Sequence, residues 1–534
     1  MIPSWRWSTA ALAAVLLAGL VGPPRVTQAQ QGRRPNIVFI LADDLGYADV
    51  GFTGGTEIRT PQIDALAATG TRLTQHYAQP VCTPTRAALM TGRYPMRLGL
   101  QVGVVYPWSQ FGLPLDERTL PQALREAGYT TALVGKWHLG HHDRRYLPTS
   151  RGFDQQYGHY LGTTDYFAHN RAGGHDWHRN DQPSYDEGYS THLIAREAVR
   201  IIRESDGRTP FFLDVSFNAP HLPLQAPERY HEPYAHLQGP RRTYAGMVAA
   251  MDEAIGQIVA ALDDKGLRDN TLIVFASDNG GLQPGLMSSN GPFREGKGSL
   301  YEGGVRVAAA ASWKGHIAAG ATVDQPMHMV DWYPTLLTLA GASVQQALPI
   351  DGRDVWPTIT QGRPSPHEWI LINTTPETGA LRVGDWKLVL NGSVTIDEGA
   401  APGAGAAGRA PGRPASSARA VPTPSAAPTA SALGGTDDPN AIGGPARVQA
   451  GRAVPGKHTV ELFNLATDPY EKVNLADQNP EKLRELRARY DALAAQARPP
   501  APDPGPPAGF KPPRVWGEAE PTPASPIPGR PPRE

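Results

Sequence analysis

Between Arg34 and about Gly362 the chain repeats one phrase: a short, almost unbroken apolar run, then a stretch with helical periodicity. The apolar runs are Asn36–Leu41, Thr131–Val134, Phe211–Ser216 and Thr271–Ala276, and the helical patterns include Pro61–Thr69, Leu120–Ala127, Thr191–Glu204 and Tyr244–Leu262. A strand with one face in water alternates apolar and polar residues; a strand without that alternation is buried on both faces. Buried strands separated by helices predict an α/β fold, a mostly parallel sheet flanked by helices. There is no internal repeat.

A smaller α+β subdomain is predicted to follow. Leu381–Leu390 reads as a hairpin turning at Gly384-Asp385, Glu461–Leu465 as a strand, and Pro480–Arg498 as a helix with Leu483, Leu486, Tyr490 and Leu493 on one face. Composition enters at the gaps. Residues 401–456 hold 16 Ala, 10 Gly and 9 Pro, and no aromatic residue occurs from Lys387 to Leu462. Such a segment cannot bury enough surface to offset its ordering entropy. The expected organisation is therefore a main α/β domain over 30–365, the subdomain over 366–393 and 457–498, a disordered insertion over 394–456 and a disordered tail over 499–534. The tail has 14 Pro in 36 residues.

Arg6, the apolar run Ser8–Gly22 and the small residues of Thr27-Gln28-Ala29 follow the order of a secretory signal peptide, predicted over 1–29. The run falls short of a bilayer span, so the mature chain is expected to have no membrane span and to be exported, periplasmic or secreted. Lys+Arg number 50 against 51 Asp+Glu, which leaves no basic field to recruit nucleic acid. The chain has one cysteine, Cys82, an odd complement for an oxidising compartment.

Ligands of open α/β sheets sit beyond the carboxyl ends of the strands. Those ends read Asp43-Asp44, Lys136-Trp137-His138, Asn218-Ala-Pro-His221 and Asp278-Asn279-Gly280-Gly281. Asp43, Asp44, Asp278 and Asn279 offer only hard oxygen donors, a set suited to Ca²⁺, with Mg²⁺ as the alternative, and not to zinc. Arg86, Lys136 and Lys297 with a divalent ion outweigh the three carboxylates by two charges, so the pocket is expected to hold an anion. Pro80–Gly92 reads as a loop entering a helix, with Pro84 in the first turn and Cys82 at the N-terminus, a natural anion site.

Cys82-Thr-Pro-Thr-Arg86 with Leu89-Met-Thr-Gly92, and Gly128–His138, resemble the two signatures of the type I sulfatase family. Within it, Leu41–Gly46, Ile58–Pro61, Gln79–Pro84, Leu113–Glu117, Arg151–Asp154 and Leu222–Gln225 are most similar to the arylsulfatase B (N-acetylgalactosamine-4-sulfatase) branch. The resemblance implies an alkaline-phosphatase-like fold and conversion of Cys82 to formylglycine by a maturase, with a metal held by Asp43, Asp44, Asp278, Asn279 and the modified Cys82. It implies further that Arg86 and Lys136 stabilise the nucleophile, that His221 is the acid with Lys297 on the sulfate, and that His138 is the base. The implied substrate is an aryl sulfate or a sulfated sugar of glycosaminoglycan type. Thr163 is the counterpart of a small hydroxyl residue in family pockets, and 161–166 and 169–178 are specificity-loop candidates. Two other readings compete: a phosphomonoester or phosphonate hydrolase of the same superfamily, and a non-catalytic binder of sulfated glycans.

Overall fold

In a computed structural model, residues 1, 33–282, 285–392, 395–397, 447–449, 458–502 and 505–518 are described. Residues 2–29 of the predicted signal peptide, most of the predicted insertion and residues 519–534 of the predicted tail lie outside them. The chain divides into units Met1–Arg34 and Pro35–Glu534, and the second carries everything below.

Its main sheet has ten strands: β1 (Asn36–Ala42), β2 (Thr71–Leu73), β3 (Thr130–Gly135), β4 (Gln155–Gly158), β5 (His178–Arg179), β6 (Gln182–Pro183), β7 (Phe211–Ser216), β8 (Thr271–Ser277), β9 (Ala309–Ser312) and β10 (Ala321–Val323). Their order is β10-β2-β9-β8-β1-β7-β3-β4-β5-β6. The central run β8-β1-β7-β3-β4 is parallel throughout, and antiparallel pairing is confined to the flanks. β1 explains the unbroken apolar runs. Ile37, Phe39 and Leu41 enter one core, while Val38, Ile40 and Ala42 enter the other. Helices α1 (Pro61–Ala68), α4 (Ser190–Glu204) and α5 (Gly239–Asp264) cover the second face; α2 (Cys82–Thr91) and α3 (Leu120–Glu126) cover the first, with the helix Trp332–Ala340. Among the described residues α5 alone is long and apolar enough to cross a membrane, and two thirds of its apolar window is buried in this core.

A four-stranded antiparallel sheet, Trp369–Thr374, Gly379–Val383, Trp386–Leu390 and Val460–Asn464, follows with the helix Pro480–Ala494. Leu371, Leu381, Leu388, Leu462, Leu486 and Tyr490 join the same apolar cluster as β1. One face of the subdomain's sheet thus completes the main core, while Ile370, Ile372, Ala380, Val389, Phe463 and Leu465 on the other face form a separate cluster with Tyr77, Leu300, Tyr301 and Val305.

Two expectations need correction. Within the predicted disordered insertion, Thr395–Asp397 and Arg447–Gln449 pair as antiparallel strands. Within the predicted disordered tail, Val515 is 5% and Trp516 3% exposed, and the latter packs with Leu161, Ala172 and Phe510. Proline-rich composition argues against a large core, but one tryptophan with a matching cleft is enough to hold a short segment. Proline itself lowers the entropy lost on ordering.

Candidate active site

The carboxyl ends of β1, β3, β7 and β8 deliver the predicted residues to one place, and α2 aims its first turn at them. Asp43 and Asp44 follow β1 and are buried, and Asp44 takes the left-handed φ of 64°. His138, past the end of β3, has φ of 58°. Both are non-glycine residues in a sparsely populated region, the kind of local strain that a surrounding structure must hold in place. The carbonyl of Val81 closes the first turn of α2 at Thr85 N, which leaves Cys82 at the first helical position, buried beneath a cavity of about 120 Å³.

The floor is a lattice of charge. Cys82 Sγ lies 3.3 Å from Asp43 Oδ1 and 3.5 Å from Lys297 Nζ. Lys136 Nζ donates to Asp43 Oδ2 at 2.6 Å, and Lys297 Nζ stands 2.7 Å from Asp44 Oδ1. Arg86 donates through Nη2 to Asp278 Oδ2 at 3.0 Å and through Nη1 to the Lys136 carbonyl at 3.1 Å. Asp278 Oδ1 accepts from Asp44 N at 3.2 Å, and Asn279 Nδ2 donates to Asp44 Oδ1 at 2.8 Å. His221 Nδ1 is 2.7 Å from the Leu222 carbonyl, which places its proton there and turns Nε2 toward Asp44 Oδ2 at 3.6 Å. His138 Nε2 is 3.0 Å from the Val105 carbonyl. By the same logic Nε2 carries the proton and Nδ1 the lone pair.

Three buried atoms here have no hydrogen-bond partner among the described residues: Arg86 Nε, His138 Nδ1 and Asn279 Oδ1. Such atoms are costly unless something else meets them. Three carboxylates and an orphaned amide oxygen fit a hard divalent cation. A purely geometric grouping gathers Asp43, Asp44, Cys82 and His221, whose ligand atoms lie within 4.8 Å of one another. The oxygen set is preferred, because burial and then the charges of Asp278 and Asp43 push the Cys82 thiol up, away from the thiolate a metal would take.

The other titrations follow from position. Burial alone would raise Asp44, but the charges of Lys297 and His221, with hydrogen bonds from Lys297 and Asn279, bring it down to about 2. Burial and the neighbouring Asp43 push Asp278 up to about 6. His221 is pushed down to about 3 by burial and then by Lys297, and burial with Lys136 and Arg86 holds His138 well below the usual imidazole range. Both histidines are neutral near pH 7.

All the predicted residues converge. Thr163 lines the cavity, but its hydroxyl is already bonded to the Leu222 carbonyl. Several participants escaped the sequence reading. Gly162 is one: a Cβ there would sit 2.6 Å from the His138 ring. Tyr166, inside a predicted specificity loop, bonds the carbonyls of Asn218 and His221 at 2.6 and 2.8 Å and so fixes the turn that carries His221. Val104, Val105, Tyr106 and Pro107 form an apolar wall of the cavity. The glycine stood out in the sequence only as part of Leu161-Gly-Thr-Thr, and the wall carries no chemical signature at all.

A mostly parallel sheet flanked by helices, with a buried mixed-charge floor at its carboxyl edge, is the alkaline-phosphatase-like fold of the sulfatase structures this chain resembles. The sulfatase family profile matches residues 35–342. Arylsulfatase J of Mus musculus is 38% identical over 492 residues, 88% of this chain and 78% of that protein. N-acetylgalactosamine-6-sulfatase of Rattus norvegicus is 36% identical over 379 residues, 66% of this chain and 71% of that protein. The crystal structure of Ps i-CgsB superposes with a TM-score of 0.71 at 31% identity, covering 88% of this chain and 94% of that one. The chain belongs to the sulfatase family, whose members depend on formylglycine and a metal ion, and it is a sulfuric ester hydrolase.

Proposed function

We propose that this enzyme hydrolyses the sulfate monoester of a sulfated sugar, such as N-acetylgalactosamine 4-sulfate, and that Cys82, converted to formylglycine by a maturase, is its nucleophile. The observation that carries the reading is the position of Cys82: first turn of α2, buried at the base of the cavity, within 3.5 Å of Asp43 and Lys297. The raised thiol argues against an enzyme that works through thiolate sulfur. In the converted form the side chain would supply an oxygen nucleophile in place of sulfur.

Asp43, Asp44, Asp278 and Asn279 would hold the metal, Ca²⁺ by preference, which when bound supplies Lewis-acid polarisation of oxygen. The chain's own groups do the rest. Arg86 is fixed by Asp278 and the Lys136 carbonyl, and Lys136 by Asp43, so their charges reach the side chain at position 82 without reorganising. Lys297 and Nε2 of His221 face the cavity and bind the sulfate. The anion's charge opposes that of Lys297 and raises the imidazole, which then carries at Nε2 the proton that the departing alcohol takes. His138 offers the lone pair on Nδ1 as the base. Thr163 contributes to the pocket wall.

The sugar preference is supported by the N-acetylgalactosamine-6-sulfatases among the relatives and by Ps i-CgsB, solved in complex with k-i-k-neocarrahexaose. The apolar wall Val104–Pro107 accepts the apolar face of a pyranose. Arg6 and the apolar run after it support an exported enzyme. Turnover of 4-nitrocatechol sulfate against its phosphate counterpart, then of N-acetylgalactosamine 4- and 6-sulfates, is the test. Preference for phosphate would contradict the ester class, and turnover of the aryl ester with none of either sugar would contradict the substrate.

A further inference from the structure

The loop that walls the cavity carries a strip of aromatic rings away from it. Tyr106 and Pro107 line the cavity. Trp108, the next residue, stacks on Tyr106 with ring centroids 5.0 Å apart and planes within 3° of parallel. Phe510, from the C-terminal segment 505–518, meets Trp108 edge-on at 6.4 Å. Phe510 in turn packs against the cluster of Leu161, Ala172 and Trp516. Leu161 and Ala172 are the chain neighbours of Gly162 and Arg171, which belong to the cavity lining. The strip thus begins in the lining at Tyr106 and ends against residues next to it.

The backbone under these rings is fixed. Tyr106 N donates to Ser109 Oγ at 2.9 Å and Ser109 N to the Tyr106 carbonyl at 3.0 Å, which closes a turn around Trp108. His141 Nε2 lies 3.1 Å from the Pro107 carbonyl, and its ring meets Trp516 edge-on at 5.4 Å. Trp516 is held by Nε1 on the Arg171 carbonyl at 2.8 Å and by N on the His175 carbonyl at 2.9 Å. Trp516 is 3% exposed, whereas Tyr106, Trp108 and Phe510 are each only half-buried. Large rings left partly in water on a fixed surface beside a site mark where a ligand covers them. The cavity, at about 120 Å³, is smaller than the roughly 300 Å³ at which pockets enclose a whole small ligand. It admits the sulfated end of a substrate, and what is joined to that end lies outside. A pyranose has one flat face of C–H groups and a rim of hydroxyls, which suits rings that are apolar yet half in water. Because the strip starts in the cavity lining, its occupant is the chain attached to the sulfated sugar.

We propose that Tyr106, Trp108 and Phe510 bind the sugar units joined to the sulfated residue, so that the enzyme recognises a sulfated oligosaccharide in preference to the lone sugar. The inference rests on the sulfated-sugar reading of the site and names the substrate class more narrowly. It also gives the C-terminal segment a part in recognition, through Phe510.

The full chain, matured, would be assayed with 4-nitrocatechol sulfate as reporter. Inhibition constants would be measured for N-acetylgalactosamine 4-sulfate and for the disaccharide and tetrasaccharide of 4-sulfated chondroitin. Stacking on successive rings predicts that the tetrasaccharide binds about tenfold tighter than the monosaccharide. Trp108→Ala should erase most of that ratio, Trp108→Phe should keep part of it, and Phe510→Ala should reduce it several-fold. Should Trp108→Ala fail to fold, Phe510→Ala carries the same test. Equal affinity of the native enzyme for monosaccharide and tetrasaccharide overturns the proposal, as does equal weakening of both in Trp108→Ala. A rise in the KM of the aryl reporter as large as the loss of tetrasaccharide affinity would assign the strip to an aryl group and overturn it too. Should the reporter not turn over, the sulfatase reading fails instead, and calorimetric titration of the same three ligands decides the strip separately.

Discussion

Two buried clusters of mixed charge lie in this molecule, and they differ in what they leave unmet. Under the C-terminal sheet, Lys387 Nζ stands 2.9 Å from Glu302 Oε1 and 2.8 Å from Glu471 Oε1. The second oxygen of Glu302 accepts from Tyr77 at 2.8 Å, and that of Glu471 from Glu302 N at 2.6 Å. Each carboxylate oxygen has a cation or donor in reach, Glu471 Oε1 through its ion pair with Lys387 and no further hydrogen bond, and the cluster joins residues 302, 387 and 471. At the strand ends another buried set of charged and polar groups leaves Arg86 Nε, His138 Nδ1 and Asn279 Oδ1 without partners among the described residues, beside a cavity. A closed network holds a fold together. An open one at a cavity is built for a ligand.

The comparison breaks most sharply under mutation. Cys82→Ala should lower turnover of 4-nitrocatechol sulfate by at least about 10³-fold, as removal of a nucleophile does, with little change in the denaturation midpoint. Lys387→Met should do the reverse. Glu471 loses its cation and Glu302 keeps only Arg306, at 3.4 Å, at a cost of about 3–5 kcal/mol by denaturant titration, while activity per folded molecule is retained. If Cys82→Ala unfolds the protein, or Lys387→Met is silent in stability, the two clusters are not different in kind.

Metal removal sharpens the contrast. Chelation should abolish turnover and lower the melting temperature, and Ca²⁺ should restore both in a concentration-dependent way, since a ligand of the folded state stabilises it by mass action. Indifference of both activity and melting to chelation would contradict a metal held by Asp43, Asp44, Asp278 and Asn279.

The smallest effect is a pH slope. Burial, with Glu302 beside it, pushes Glu471 up to about 7 against the pull of Lys387. A carboxyl raised in the folded state binds protons there that the unfolded chain has released, so its contribution is complete below about 4.5 and fades as pH rises toward 7. Glu302 runs the other way. Burial would raise it, but Lys387, Arg306 and Arg382 bring it down to about 2, so its contribution stands above about 4.5 and is lost as pH falls toward 2. Glu471→Gln should make the fall of stability between pH 4.5 and 7 shallower, the remainder coming from other raised carboxyls such as Asp278 and Asp176, while leaving the acid limb in place. An unchanged slope there would remove Glu471 as its source.

What the sequence made legible follows the same division. The strands of the parallel sheet were readable because both faces are buried, so each run is almost wholly apolar, Asp214 within β7 being an exception, and its end is marked by a return to polar residues. The site lies in the few residues past those ends, which is why Asp43, His138, His221 and Asp278 could be named from the text. The closed network was not readable. Glu302, Lys387 and Glu471 are separated by 85 and 84 residues, and no local period joins them. Gly162 and Tyr166 act by close approach and by a single hydroxyl, which leave no pattern. Trp516 was hidden by the composition around it, since proline-rich text signals the lack of a core and says nothing of one side chain finding a cleft.

The central claim is that the lone cysteine is the precursor of the nucleophile. Mass spectrometry of the tryptic peptide Leu73–Arg86, from protein made in its own host or beside a formylglycine-generating enzyme, tests it directly. The account predicts the mass of the aldehyde or its hydrate at position 82; an intact thiol in protein that turns over sulfate esters would contradict it.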